Sequence, residues 1–164
     1  MTLKNAVRPA LCAAVLGLLA LASTASFAAT NTATFHVNVT VVANCTISAS
    51  DLNFPDYNGT VTTKSNASIA ITCTNGLKYN VGLNGGGAGS VTARLMTDGT
   101  HTLGYSLFSD SFGGTNWGNT VGTDTVAGTG TGSNAAFTVY GQIPANQYAP
   151  TGSYSDTITA TITY

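Results

Sequence analysis

The chain has 164 residues, of which 43 % are hydrophobic and only 7 % charged, with a formal net charge of −1. So few Lys and Arg leave no basic patch, which excludes nucleic acid and anionic membrane surfaces as natural partners. The acidic residues are all Asp, so the commonest general acid, Glu, is absent.

Residues 1–28 read as a secretory signal peptide. Lys4 and Arg8 form a basic start, residues 11–21 an apolar run, and Ser26-Phe27-Ala28 a small-x-small cleavage site. That run is too short to span a bilayer. Cleavage leaves Lys64, Lys78 and Arg94 as the basic residues. It also removes Cys12, leaving Cys45 and Cys73 in an oxidising compartment, where a disulfide is the expected state. Both share a strand phase with isoleucines, so both thiols point inward. A bridge closing a loop of about 29 residues stabilises by roughly 3.5 kcal/mol on the chain-entropy model.

No helix is expected beyond residue 28, because Thr, Val, Asn and Gly dominate. Residues 32–42 form a first predicted strand, with Phe35, Val37, Val39 and Val41 as its apolar face. Residues 45–48 form a second. Residues 68–73 and 78–83 flank Asn75-Gly76, and residues 91–96 and 102–108 flank Asp98-Gly99; both dipeptides are hairpin signals. Residues 137–142 follow. Residues 153–164 close the series, with Ile158, Ala160, Ile162 and Tyr164 in one phase and threonines in the other. Three glycine-rich stretches, 84–90, 109–123 and 127–134, read as surface loops. Short strands separated by turns predict an all-β sandwich of immunoglobulin-like type. An alternating run at each end leaves edges that must pair within the chain or with another molecule.

Motifs for chemistry are missing. His36 and His101 stand apart from any acid in a motif, and solvent-facing roles are expected for both. Gly85-Gly86-Gly87 lacks the Lys and following helix of a phosphate-binding loop, and the Asp residues have no calcium-loop spacing. The chain is therefore expected not to be an enzyme, with no catalytic residues, no metal site and no cofactor. Trp117, Phe112 and Tyr105 fit either an aromatic sugar-binding platform or, as the expected reading, a cap on the core in which Tyr105 and Trp117 lie beneath the long loop.

Several blocks fall in one order: Gly104-Tyr105-Ser106-Leu107-Phe108-Ser109-Asp110, Trp117-Gly118-Asn119, Val139-Tyr140-Gly141-Gln142-Ile143 and Gly152-Ser153-Tyr154-Ser155-Asp156-Thr157-Ile158. With the Cys45 and Cys73 pair, they resemble the spore coat protein U domain family, which includes pilin subunits of archaic, Csu-type chaperone–usher pili. The likeness spans essentially the whole exported chain, and the terminal G-x-Y-x-D-T block is its most specific part. The resemblance implies an immunoglobulin-like sandwich lacking its last strand, completed by a donor strand. It implies a donor segment at residues 29–43 and an incomplete domain at 44–164. Phe35, Val37, Val39 and Val41 would be the donor side chains, and Ile158, Ile162 and Tyr164 the edge of the groove that receives a chaperone or donor strand.

The implied partners are a periplasmic pilus chaperone, an outer-membrane usher and further copies of this or related pilins, with no nucleic acid and no small-molecule cofactor. The implied function is a structural subunit of an adhesive pilus. It would be secreted through the periplasm to the cell surface and polymerise by donor-strand exchange, for surface attachment and biofilm formation. Two alternatives stand beside it: a secreted coat or matrix protein whose first strand fills its own groove, and a secreted sugar-binding module.

Overall fold

The structure is a computed structural model and describes residues 27–164. Most of the expected signal peptide lies outside the described residues. The described chain falls into two units, one ending at Val39 and one spanning Thr40–Tyr164.

Period-two alternation builds the first ladder of the larger unit. Strand β1 (Cys45–Ala49) pairs antiparallel with β2 (Thr63–Cys73), setting Cys45 directly opposite Cys73. Inward-facing thiols in that register form the expected disulfide, with an S–S distance of 2.05 Å. Strand β3 (Lys78–Leu83) follows, then a single 3₁₀ turn at Gly86–Ala88, then β4 (Arg94–Thr97) and β5 (Thr102–Phe108). Strands β6 (Val126–Thr129), β7 (Asn134–Ile143) and β8 (Ala160–Thr163) complete the order. One sheet runs β1-β2-β7-β5-β4 and the other β6-β3-β8. Between them lie Ile69 and Ile71 of β2, Leu103 and Leu107 of β5, Val81 and Leu83 of β3, and Trp117, all buried. Each such aliphatic side chain contributes about 1.5–3 kcal/mol of burial. The architecture is the expected all-β, immunoglobulin-like sandwich.

The turn at Asp98-Gly99 makes the hairpin expected of it, joining β4 to β5 with Thr97 opposite Thr102. Its carboxylate accepts the backbone N–H groups of His101 and Thr100 at 2.6 and 2.8 Å, which hold Asp98 well below the ordinary carboxylate range. His101 Nδ1 lies 3.0 Å from Asp98 Oδ2, so this histidine does have an acid partner, as part of the turn.

Three expectations are corrected. Asn75-Gly76 is a turn but not a hairpin: β2 and β3 belong to different sheets, and the turn carries the chain between them. Leu77 N–H closes it on the Thr74 carbonyl at 3.1 Å, with Gly76 at φ +80°. A turn dipeptide reports that the chain reverses, not whether the two runs pair side by side or face each other across a core. The stretch from 127 to 134 is not all loop, because β6 sits at its start. Gly128 lies opposite Tyr79 in the β3–β6 ladder, where a Cβ would strike the Tyr79 ring; a glycine that suggests a loop is here what lets an aromatic fit. Finally, residues 27–44 carry no strand, although 32–42 alternate. Alternation describes a surface suited to a sheet, but a strand exists only where another strand supplies the ladder, and no described strand does so for these residues.

Candidate functional site

The sandwich is open along one side. The segment 49–59, leaving β1, and the segment 147–160, leading into β8, form the walls of a groove of about 1080 Å³. The groove is open to solvent, and polar groups line its walls alongside apolar ones.

Side-chain alternation positions both walls. In the first, Leu52, Phe54 and Tyr57 turn inward and pack on the core. Leu52 and Phe54 approach β7 at Gly141, where a Cβ would come within 2.7 Å of Leu52 and 2.9 Å of Phe54. The Tyr57 hydroxyl donates to the Pro144 carbonyl at 2.7 Å and accepts from Gln147 N–H at 3.1 Å, fixing one end of the groove. In the second wall Tyr154, Asp156, Ile158 and Ala160 are half-buried and alternate with exposed neighbours. This wall is tied to β4 by the Thr97–Ser155 bridge and to β3 by the β8 ladder, in which Leu83 faces Ala160. The floor consists of buried side chains from both sheets, among them Ile69, Leu83, Leu103, Leu107, Val139 and Ile143. Strand β1 ends one sheet and β8 the other, so among the described residues the two outer edges beside the groove lack ladder partners.

A polar node joins the second wall to β5 and to the 3₁₀ turn. Asp156 accepts the Tyr105 hydroxyl at 2.6 Å and the backbone N–H of Gly87 at 2.8 Å. Burial, reinforced by that bond, pushes the Tyr105 hydroxyl well above the ordinary phenol range. The Gly85-Gly86-Gly87 stretch thus has a structural use: it brings backbone up to a carboxylate. Gly86 has φ +62° and a Cβ there would fall on the Asp156 carboxylate, whereas Gly89 has φ +74° and open space. Gly86→Ala is therefore expected to cost about 1–3 kcal/mol, clearly more than Gly89→Ala, in thermal unfolding. Equal losses would mean that only backbone strain, not the approach to Asp156, matters.

Behind the floor, Trp117 is completely buried and donates its indole N–H to the Val81 carbonyl at 2.8 Å. Arg94, 1 % exposed, donates to the carbonyls of Asn84, Val91, Leu83 and Trp117. Burial draws its guanidinium below the usual value. Trp117 and Tyr105 are therefore core, as expected, and offer no face to a sugar. Phe112 instead stacks edge-on against Tyr140, with Lys64 over its ring.

The groove-edge residues named from the sequence separate. Ile158 lines the groove; Ile162 pairs with Val81 and packs on the core; Tyr164, 56 % exposed, follows β8. The apolar face of 32–42 is bare: Phe35 is 84 % exposed, Val37 83 %, Val39 88 % and Val41 77 %. The first wall, with Leu52, Phe54 and Tyr57, was missed from sequence, because Asn53, Pro55 and Asp56 mask a short inward alternation. Among the described residues, no group of three His, Cys, Asp or Glu side chains could hold a metal ion.

A family model described as the Spore Coat Protein U domain matches residues 31–161. Protein U of Myxococcus xanthus is 32 % identical over 179 residues, covering 98 % of this chain and 99 % of that protein. Among solved structures, the CsuC–CsuE chaperone–tip adhesion subunit pre-assembly complex, from archaic chaperone–usher Csu pili of Acinetobacter baumannii, contains a similar chain. The TM-score is 0.57 at 25 % identity over 76 % of this chain, which spans 40 % of that one. The open two-sheet sandwich, its disulfide and the match across residues 31–161 agree: this chain belongs to the Spore Coat Protein U domain family.

Proposed function

We propose that this chain is a structural subunit of an adhesive surface fibre of the chaperone–usher type, joined by donor-strand exchange. Residues 1–28 direct export and are removed, residues 29–43 are the donor segment, and 44–164 the receiving domain. One pairing of features carries this reading: an open groove with an apolar floor beside strand edges that no described strand pairs, together with a bare apolar alternation that fits it in length. Phe35 to Val41 covers six residue steps, about 20 Å in a strand, and Tyr154 to Ala160 on the groove wall covers the same six. Burying four donor side chains contributes on the order of 6–12 kcal/mol gross at about 1.5–3 kcal/mol each, and backbone pairing adds to it. The likeness to a subunit found in complex with its chaperone supports a periplasmic chaperone as the groove's first occupant. An outer-membrane usher and surface attachment in biofilms complete the reading, which assigns no catalytic role.

The competing reading is a coat or matrix protein whose own first segment fills the groove. The two separate in one experiment. The full chain, purified without a chaperone and run unheated in detergent, is expected to give a ladder of non-covalent multimers that collapses on boiling. Strictly monomeric protein at high concentration would favour self-filling instead.

A further inference from the structure

The groove is not uniform along its length. At one end it is lined by three alanines: Ala49 at the end of β1, Ala67 on β2 and Ala160 at the start of β8. Ladder register brings larger core residues to the same end, since Ala49 lies opposite Ile69 and Ala160 opposite Leu83. At the other end the lining carries three aromatic rings, Tyr57, Tyr154 and the largely exposed Tyr148, with Ala149 and Gly152 beside them. The Asn146 N–H bond to the Gly59 carbonyl, at 2.7 Å, marks that far end. The candidate donor is graded as well. Phe35 is the one large side chain on its apolar face, and Val37, Val39 and Val41 are small and β-branched.

We infer that Phe35 of a second copy is the specificity-determining residue of the joint, seated in the alanine-lined end at Ala49, Ala67 and Ala160. This rests on the fibre-subunit reading above and adds to it an anchor, an orientation and a register. Close-packed interiors penalise both voids and overfilling, so the largest donor side chain belongs where the lining is smallest. With Phe35 beside Ala160, the three valines stay inside the groove only if the donor runs antiparallel to residues 154–160. Val37 then faces Ile158, Val39 faces Asp156 and Val41 faces Tyr154. In a parallel arrangement that keeps all four residues inside, Phe35 would meet Tyr154 and leave the alanine end to a valine, crowding one end and leaving a void at the other.

Size exchange in the full chain tests the anchor, and engineered disulfides test the register. Phe35→Ala is expected to reduce heat-labile multimers at least tenfold at fixed concentration, and so is Ala160→Leu, which fills the pocket. Joining the two substitutions should restore multimers toward the unmodified level, because the added volume replaces the lost ring. For the register, Val37→Cys with Ile158→Cys should give covalent multimers on a non-reducing gel, since opposed residues on neighbouring strands lie within disulfide reach. Val39→Cys with Ile158→Cys should not. Covalent multimers from the second pair rather than the first would overturn the register, as would none from either pair while the unmodified chain still forms multimers. Failure of the double variant to recover, with the 37–158 link absent, would remove Phe35 as the anchor. If the unmodified chain forms no multimers, the inference falls together with the reading on which it rests.

Discussion

Trp117→Ala is expected to destabilise the domain by about 3–5 kcal/mol, the usual range for removing a buried aromatic side chain. The indole is completely enclosed, and its loss also strips the Val81 carbonyl of its 2.8 Å partner in the middle of β3. An unpaired buried acceptor carries its own penalty of about 1–3 kcal/mol. The main-chain carbonyl at 117, which the substitution keeps, is one of the four that hold the buried Arg94 guanidinium, so a backbone shift into the vacated space would strain that bond as well. Domains of ordinary stability have about 5–15 kcal/mol in total, so most of the folded population should be lost at moderate denaturant. Equilibrium urea unfolding followed by far-ultraviolet circular dichroism measures this. A change below about 1 kcal/mol would show that the loop around 109–123 closes over the core without needing the indole.

Deleting residues 29–42 should have the opposite profile, sparing the domain and abolishing the joint. Strands β1–β8 and the disulfide all lie beyond the deletion, and the removed apolar face is exposed. The truncated chain should still fold on a chaperone and still accept a donor from an intact copy. It should donate nothing itself, so mixtures should give short, terminated chains instead of a long ladder. Outright unfolding of the truncated chain on its chaperone would indicate that the segment belongs to its own domain.

How much of this was legible in the sequence depended on whether a signal was local. The disulfide was readable because the inward phases of residues 45 and 73 are set by their immediate neighbours and the oxidising compartment by the expected signal peptide. The phase of the closing run was readable too: Ile158, Ala160 and Ile162 are half-buried and the threonines between them exposed, although only Ala160–Thr163 of the expected 153–164 strand forms one. Sheet membership was not readable at Asn75-Gly76, because Tyr79 and Val81 face a core whichever sheet they join. Strand β6 was hidden by Gly128, whose meaning depends on Tyr79, a partner 49 positions away in sequence. Arg94 read as one of three basic residues, yet it is buried; nothing nearby in the chain announces four carbonyls converging from Asn84, Val91, Leu83 and Trp117. A groove was expected from family resemblance alone, and the wall at 49–59 only became visible once Gly141 showed how closely Leu52 and Phe54 approach β7.

The open groove and its missing strand are tested most directly by supplying the strand in the same chain. Residues 29–42 are moved from the N-terminus to follow Tyr164 through a short flexible linker, giving the segment a millimolar effective concentration at the groove. Anything that binds the folded state alone raises its stability by mass action. The rearranged chain is expected to be a monomer that needs no chaperone, forms no heat-labile ladder and melts far above the chaperone-free truncated domain. An unchanged melting temperature, or a ladder as long as that of the unmodified chain, would contradict the assignment of the groove to this segment.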